Sequence, residues 1–212
     1  LSLRSKKLFR EGLVIVAEYQ YKGRGQRTNI WESKFGKNLL LSFIFEPKIL
    51  LSEQFVISKI VCLSVIDFLI SFGIKATIKW PNDILFKNRK IAGVLIENIV
   101  SKGVITHSVI GIGVNINQLI FEKYKPNATS LSLELEKNFD LEEVRNKLLH
   151  SIRHKVASFR LGIDLDLDYL NLLYKKDEIV LFQRKCKKFY GIIRGVTNRG
   201  LLIVETEKNT VH

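Results

Sequence analysis

These 212 residues are 46% hydrophobic and 26% charged and carry no low-complexity tract, which excludes a disordered chain and fits one sizeable domain with at most a small appendage. The net charge of +13 favours an anionic partner, whether nucleotide, nucleic acid, acidic protein or membrane surface. The longest apolar run, 55–72, is interrupted by Ser58, Lys59, Ser64 and Asp67, which argues against a transmembrane span, and the widely separated Cys62 and Cys186 match no metal spacing and read as reduced thiols of a cytoplasmic protein.

In chain order, "GLVIVAEYQ" (12–20) is β-branched and apolar and predicts a buried strand. A loop follows through "YKGRGQRTNIWES" (21–33), and "NLLLSFIF" (38–45) predicts the next strand, ended by Glu46 and Pro47. Ser52 is the expected N-cap of a helix that runs to about Phe72 and stops at Gly73. That helix is apolar on most faces, so it belongs at the centre of the core. "ATIKW" is a short strand broken by Pro81, and 83–100 reads as a hairpin turning at Lys87-Asn88-Arg89. "GVITHSVIGIGVNIN" (103–117) is one more strand, and a loop with Pro126 and Asn127 follows it.

Asp140 and Glu143 form a D-x-x-E capping box, and Leu141, Val144, Leu148, Ile152, Val156 and Phe159 then keep helical spacing. A second helix is expected over 166–175. From Glu178 the pattern turns to short strands, with "YGIIRGV" and "LLIVETE" joined by a "TNRG" turn at Gly200. This order predicts an α+β fold: a mixed or antiparallel sheet with helices packed on it over 1–176, then a small β module over 177–212. So short a module cannot build its own core and must lean on the main body.

Three stretches can carry chemistry. Gly23, Arg24, Gly25, Gln26 and Arg27 put free N–H groups and guanidinium forks in one run, which suits wrapping of a phosphate or carboxylate, although a solvated basic turn has the same composition. In "IKWPNDILFKNRKIAGVLIE" (78–97), Lys79, Asn82 and Asp83 crowd Pro81, and Lys90 opens a strand that passes Gly93, where a ligand can approach the backbone closely. Taken singly these are ordinary surface and edge-strand residues. "GIGVNIN" (111–117) ends a strand in glycines and asparagines; it is not the dinucleotide fingerprint, and a bulged strand end would look alike.

In combination they say more. "AEYQ…GRG…W.S..G.NL..S", "KWPND", "RKIAGVLIE" and "GIGVNIN", in this order over residues 13–118, resemble the catalytic domain of the biotin–protein ligases. The resemblance implies a fold like that of the class II aminoacyl-tRNA synthetases with an SH3-like terminal module. It implies formation of biotinyl-5′-AMP from biotin and MgATP, then attack by a lysine of a biotin carboxyl carrier domain. Carried over position by position, Gln20, Arg24, Gly25, Gln26, Trp31 and Lys90 would meet biotin. Arg24, Arg27, Asn82, Lys90 and Asn115 would meet ATP or the adenylate. Lys90, Arg24 and Asp83 would be catalytic. Fixed cations have a physical reason to be there, because a carboxylate must approach a polyanion and negative charge builds on the α-phosphoryl oxygens. A loop that closes keeps water from the anhydride, and Trp31 is expected to pack it down once ligand is present.

There are departures. Many relatives carry arginine where Gln26 stands, so Arg27 is expected to take over a phosphate contact, and many carry glycine where Thr28 stands. The family's Ser-Thr-Asn segment is absent from these residues; since the chain begins at Leu1 and holds no methionine, we expect a start that precedes it. A lipoate–protein ligase or octanoyl transferase is the related alternative, and "KWPND" with "GRG" speaks against it. A nucleic-acid-binding module is the remote one, motivated by charge alone, and no recognition motif supports it. We expect no DNA or membrane partner, and a homodimer is the expectation from the family.

Overall fold

The computed structural model describes residues 10–26, 30–122, 127–184, 186–207 and 210–211. The elements up to the first long hairpin are β1 (Val14–Ala17), β2 (Leu39–Phe45), β3 (Ile49–Leu50), α1 (Phe55–Ile70), β4 (Thr77–Lys79), β5 (Asp83–Phe86), β6 (Arg89–Ser101) and β7 (Val104–Val114). The rest are α2 (Leu131–Leu135), α3 (Leu141–Arg160), α4 (Asp166–Asn171), β8 (Ile179–Arg184), β9 (Lys187–Val196), β10 (Leu202–Glu205) and β11 (Thr210–Val211). The first seven strands form one antiparallel sheet in the order β1-β2-β7-β6-β5-β4, with β3 pairing off β7; the last four form a second sheet. The expected α+β architecture, with its small terminal sheet, is the one observed, and the large sheet is antiparallel rather than mixed.

Alternation along the central strands makes two unlike faces. Leu39, Leu41, Phe43 and Phe45 of β2 and Ile110, Ile112 and Val114 of β7 join Ala92 and Val94 of β6 in the core beneath α1 and α3. The opposite face carries Ser42, Gly111, Gly113, Gly93, Leu95 and Glu97, in register across β2, β7 and β6. This second face is poor in bulk and rich in glycine, and the candidate site lies on it.

Helix α1 is buried nearly all round, which its even apolarity foretells. Its one buried charge, Lys59, is paired at 2.5 Å with Asp166 of α4. Its expected C-terminal stop is in place: Gly73 has φ +78°, and the N–H groups of Gly73 and Ile74 close back on Ile70 and Leu69. Its expected start is not. Ser52 lies inside a short 3-10 turn (Leu51–Glu53), and the helix begins after Gln54 without a side-chain cap. The capping comes from another module. Three successive carbonyls of the β9–β10 turn are each taken by the main body: Asn198 O by Phe55 N–H, Arg199 O by the Gln54 amide, and Gly200 O by the Trp80 indole, all at 3.0 Å. A cap supplied by a residue 143 positions away is invisible to any local sequence rule, which is why the hydroxyl of Ser52 was the natural but incorrect choice. In α3, by contrast, the Asp140 carboxylate does accept from the N–H groups of Glu142 and Glu143.

Candidate functional site

The hairpin β5–β6 turns through Lys87 and Asn88, both at positive φ, and a bulge follows at Ile84/Leu85. This register sets Asp83 opposite Gly93 and brings Lys90 onto the same face. Lys90 Nζ stands 2.6 Å from Asp83 Oδ1, with both side chains mostly enclosed. Two of the three expected catalytic residues therefore meet, and the ion pair fixes the position of the ammonium.

Gly93 and Gly113 face each other across β6 and β7 and form the floor beside Lys90. A side chain at Gly113 would collide with the Trp31 indole, its Cβ falling 2.5 Å from the ring, and a Cβ at Gly93 would be tight against both the indole and the Lys90 side chain at 3.1 Å. The glycines are thus what lets a flat aromatic group lie against the sheet. Lys90 Nζ also approaches the indole, 5.3 Å from its centroid. Trp31 was expected to pack down with ligand; here it is already down, buried to 8% exposure. The residues after it explain why. Asn38, buried, donates to Gln118 Oε1 at 2.7 Å and accepts from Ile116 N–H, while Lys34 N–H also reaches Gln118 Oε1. This network ties the chain behind Trp31 to the end of β7. Sequence reading quoted Asn38 within a motif without giving it a role and missed Gln118.

The glycine-rich loop closes at its stem through Trp31 N–H to Gly23 O, 2.9 Å, and a bridge between Arg24 and Ile30. A Cβ at Gly23 would strike the Trp31 carbonyl at 2.4 Å, with the Gln20 side-chain oxygen next nearest, so this glycine is required by close approach. Arg24 leaves the loop as a two-pronged pair with Glu97, at 3.2 and 3.1 Å, on the glycine-rich face of β6. Glu97 is a partner that the sequence did not reveal. Arg24 and Lys90 thus work the same sheet face, but Arg24 is turned to Glu97, four residues along β6 from Gly93. Arg27 lies outside the described residues.

Because β5 begins only at Asp83, β6 beyond Gly93 has an open side there. Asn82 closes its first step, donating to Val94 O at 2.7 Å while its carbonyl accepts from Val94 N–H. The notch beyond is a cavity of about 180 Å³ lined by Gln26, Asn82, Val94, Asn98, Cys62 and Arg199 among others. The loop tip, the Pro81 turn, α1 and the β module all reach it, and Arg199 is a cation the sequence reading did not single out. Burial, and then the nearby Asp83 carboxylate, push the Cys62 thiol up to about 12. Asn115 stands apart from the rest: it is buried, and its amide nitrogen is taken by the carbonyls of Thr129 and Lys90, at 2.9 and 3.3 Å. Lys79 shares the face of Asp83, opposite it in β4. Among the described residues no group of three His, Cys, Asp or Glu side chains is placed to hold a metal, and no helix is long and apolar enough to cross a membrane.

This geometry can be set beside known proteins. The sequence profile of the Biotin/lipoate A/B protein ligase family matches residues 2–115. The chain belongs to that family. It is 30% identical over 205 residues to the bifunctional ligase/repressor BirA of Escherichia coli, covering 93% of this chain. It is also 30% identical over 156 residues to the biotin–[acetyl-CoA-carboxylase] ligase of Mycobacterium tuberculosis, covering 71% of this chain and 56% of that protein. The chain spans 63% of the length of the BirA relatives it matches. Among solved structures, the Aquifex aeolicus biotin protein ligase in complex with biotin and ATP superposes with a TM-score of 0.77 at 30% identity, over 95% of this chain and 85% of that one. The Mycobacterium tuberculosis and Aquifex aeolicus proteins carry the name of biotin ligases, which bears out the resemblance read from the motifs.

Proposed function

We propose that this chain activates biotin with ATP as biotinyl-5′-AMP and passes the biotinyl group to a lysine of a biotin carboxyl carrier domain. The observation that carries the reading is the Lys90–Asp83 pair, 2.6 Å apart, beside a two-glycine floor roofed by Trp31. An acid bound against Gly93 and Gly113 would place its carboxylate near the Lys90 ammonium, which lowers the repulsion between two anions and then stabilises charge on the phosphoryl oxygens. Asp83 keeps that cation fixed, and if Mg2+ came with the nucleotide, Asp83 is a carboxylate that could help hold it and so neutralise phosphate charge. Arg24 is already paired with one anion, Glu97, and a phosphate bearing more charge is the natural substitute. Gln20, Gly25, Gln26 and Arg27 belong to the loop that closes over the product, Asn82 and Arg199 border the notch on the nucleotide side, and Asn115 serves the site by holding backbone. We place the boundary between this catalytic part and the β module near residue 176.

Pyrophosphate exchange tests the reading. With the full 212-residue chain, exchange should depend on biotin and be absent with lipoate or octanoate. Exchange with lipoate or octanoate alone would replace the substrate assignment, and no exchange with any of the three would overturn it.

A further inference from the structure

Lys90 is held by its backbone as well as by Asp83. Its N–H donates to Asn127 O at 2.9 Å, and its carbonyl accepts from Thr129 N–H at 2.9 Å, so that residues 127–129 run beside it as a short parallel partner. A contact of so few residues has little of its own to fix its register. The Asn115 amide joins the two segments through the carbonyls of Lys90 and Thr129, and one buried carboxylate clamps them through side chains. Glu134 on α2 has a side chain only 3% exposed, and its Oε1 accepts from Thr129 Oγ1 at 2.6 Å and from Arg89 Nη2. Lys87 Nζ lies 3.3 Å from its Oε2. Thr129 is on one of the two segments that meet at Lys90, and Arg89 and Lys87 are on the other.

The grip matters because the turn of the hairpin carries a conformational cost. Lys87 and Asn88 have φ of +47° and +62°; a side-chain-bearing residue such as lysine takes up that region at a cost, and two-residue turns of this kind favour glycine in the second place. A carboxylate withdrawn from water is itself expensive unless several donors satisfy it, and Glu134 has three. Neither cost is needed to fill the core, since α2 already buries Leu131.

We propose that Glu134 is a positioning residue for Lys90, acting through Thr129 on one side and Arg89 on the other; this rests on the role given to Lys90 above. A displacement of a reacting group by about 1 Å can lower a rate on the order of 100-fold. Glu134→Gln in the full chain should therefore lower kcat for biotin-dependent pyrophosphate exchange by roughly 10- to 100-fold, with KM for biotin changed less than about twofold. Thr129→Val, which keeps shape and loses the hydroxyl, should show part of the same loss, and Thr129→Ser should restore it. Hydrogen exchange supplies a readout independent of catalysis: amides at Lys90 and Thr129 should exchange faster in Glu134→Gln while those of β2 and β7 keep their protection. Wild-type kcat, or unchanged protection at Lys90 and Thr129, overturns the proposal. If Glu134→Gln does not fold, Thr129→Val carries both measurements. Should the unmodified chain lack exchange with any acid, the functional reading fails by itself, and the hydrogen-exchange comparison still decides whether Glu134 positions Lys90.

Discussion

Lys90 and Arg24, the two cations expected to be catalytic, are held in opposite ways. Lys90 sits on a strand whose neighbours are fixed on both sides, enclosed, with a carboxylate at 2.6 Å and its own peptide bonded to a second segment. Arg24 sits on a loop, 71% exposed, with one pair to Glu97 at 3.1 Å. An enclosed pair resists screening and is costly to break, whereas an exposed pair contributes about 0–1 kcal/mol. On the function proposed above, the contrast suggests a division of labour to test: Lys90 preorganised for chemistry, Arg24 free to change partners.

The largest test of that contrast is Lys90→Ala. Removing one fixed donor from a developing oxyanion typically lowers kcat by about 10²–10³-fold, and that is the loss expected in pyrophosphate exchange. The thermal transition should stay clear and cooperative, because Lys90 lies at the margin of the core. A variant with near wild-type turnover would mean that the rigid cation is not the one that matters.

Next in size is Gly113→Ala, where the two regions touch. The new Cβ would lie 2.5 Å from the Trp31 ring, so the indole must leave its seat. Tryptophan emission should shift to longer wavelength as Trp31 meets water, and biotin binding should weaken by about tenfold, the scale of a misfit of roughly 1–2 kcal/mol. Unchanged emission and affinity would show that the glycine floor is not what seats the roof.

Glu97→Gln acts on the exposed pair and has a smaller effect with the opposite sign. Freed from its carboxylate, Arg24 should bind an anion more readily, tightening ATP binding by up to about fivefold, the limit set by an exposed pair. The ligand-free loop should also be cut faster by trypsin after Arg24. Weaker ATP binding would make Glu97 part of the ligand site rather than a stand-in for the ligand.

How far the sequence foretold these features follows the range of the interactions involved. Strands β2, β5, β6 and β7 and helix α3 were legible because alternation, turn residues and the Asp140 cap act within a few residues. Lys90 and Asp83 were both singled out by motif order, and the hairpin that joins them was legible, but their ion pair was not foreseen. What stayed hidden is long-range: the cap of α1 on Asn198, the partner of Arg24 on Glu97, and the Asn38–Gln118 brace behind Trp31 join residues 73 or more apart. Asn115, expected to meet the adenylate, has an amide nitrogen engaged with the carbonyls of Lys90 and Thr129, a long-range contact that motif order does not reveal.

The smallest effect probes whether the rigid side is as closed as its packing implies. Cys62 lies on the helix beneath Asp83, wholly buried, with its thiol pushed up to about 12 by desolvation first and the Asp83 charge second. The thiolate is the reactive form, so at pH 8 the folded chain should show one rapidly labelled thiol, the exposed Cys186, and two after denaturation. The sign of the linkage follows. The unfolded chain loses the Cys62 proton near 9.0 and the folded chain near 12, so this group leaves stability unchanged below pH 9 and erodes it as pH rises from 9 towards 12. Stoichiometric labelling of two thiols at pH 8 in the native chain would mean that the notch beside Asn82 opens down to α1, and the floor under Asp83 would then be no more rigid than the loop above it.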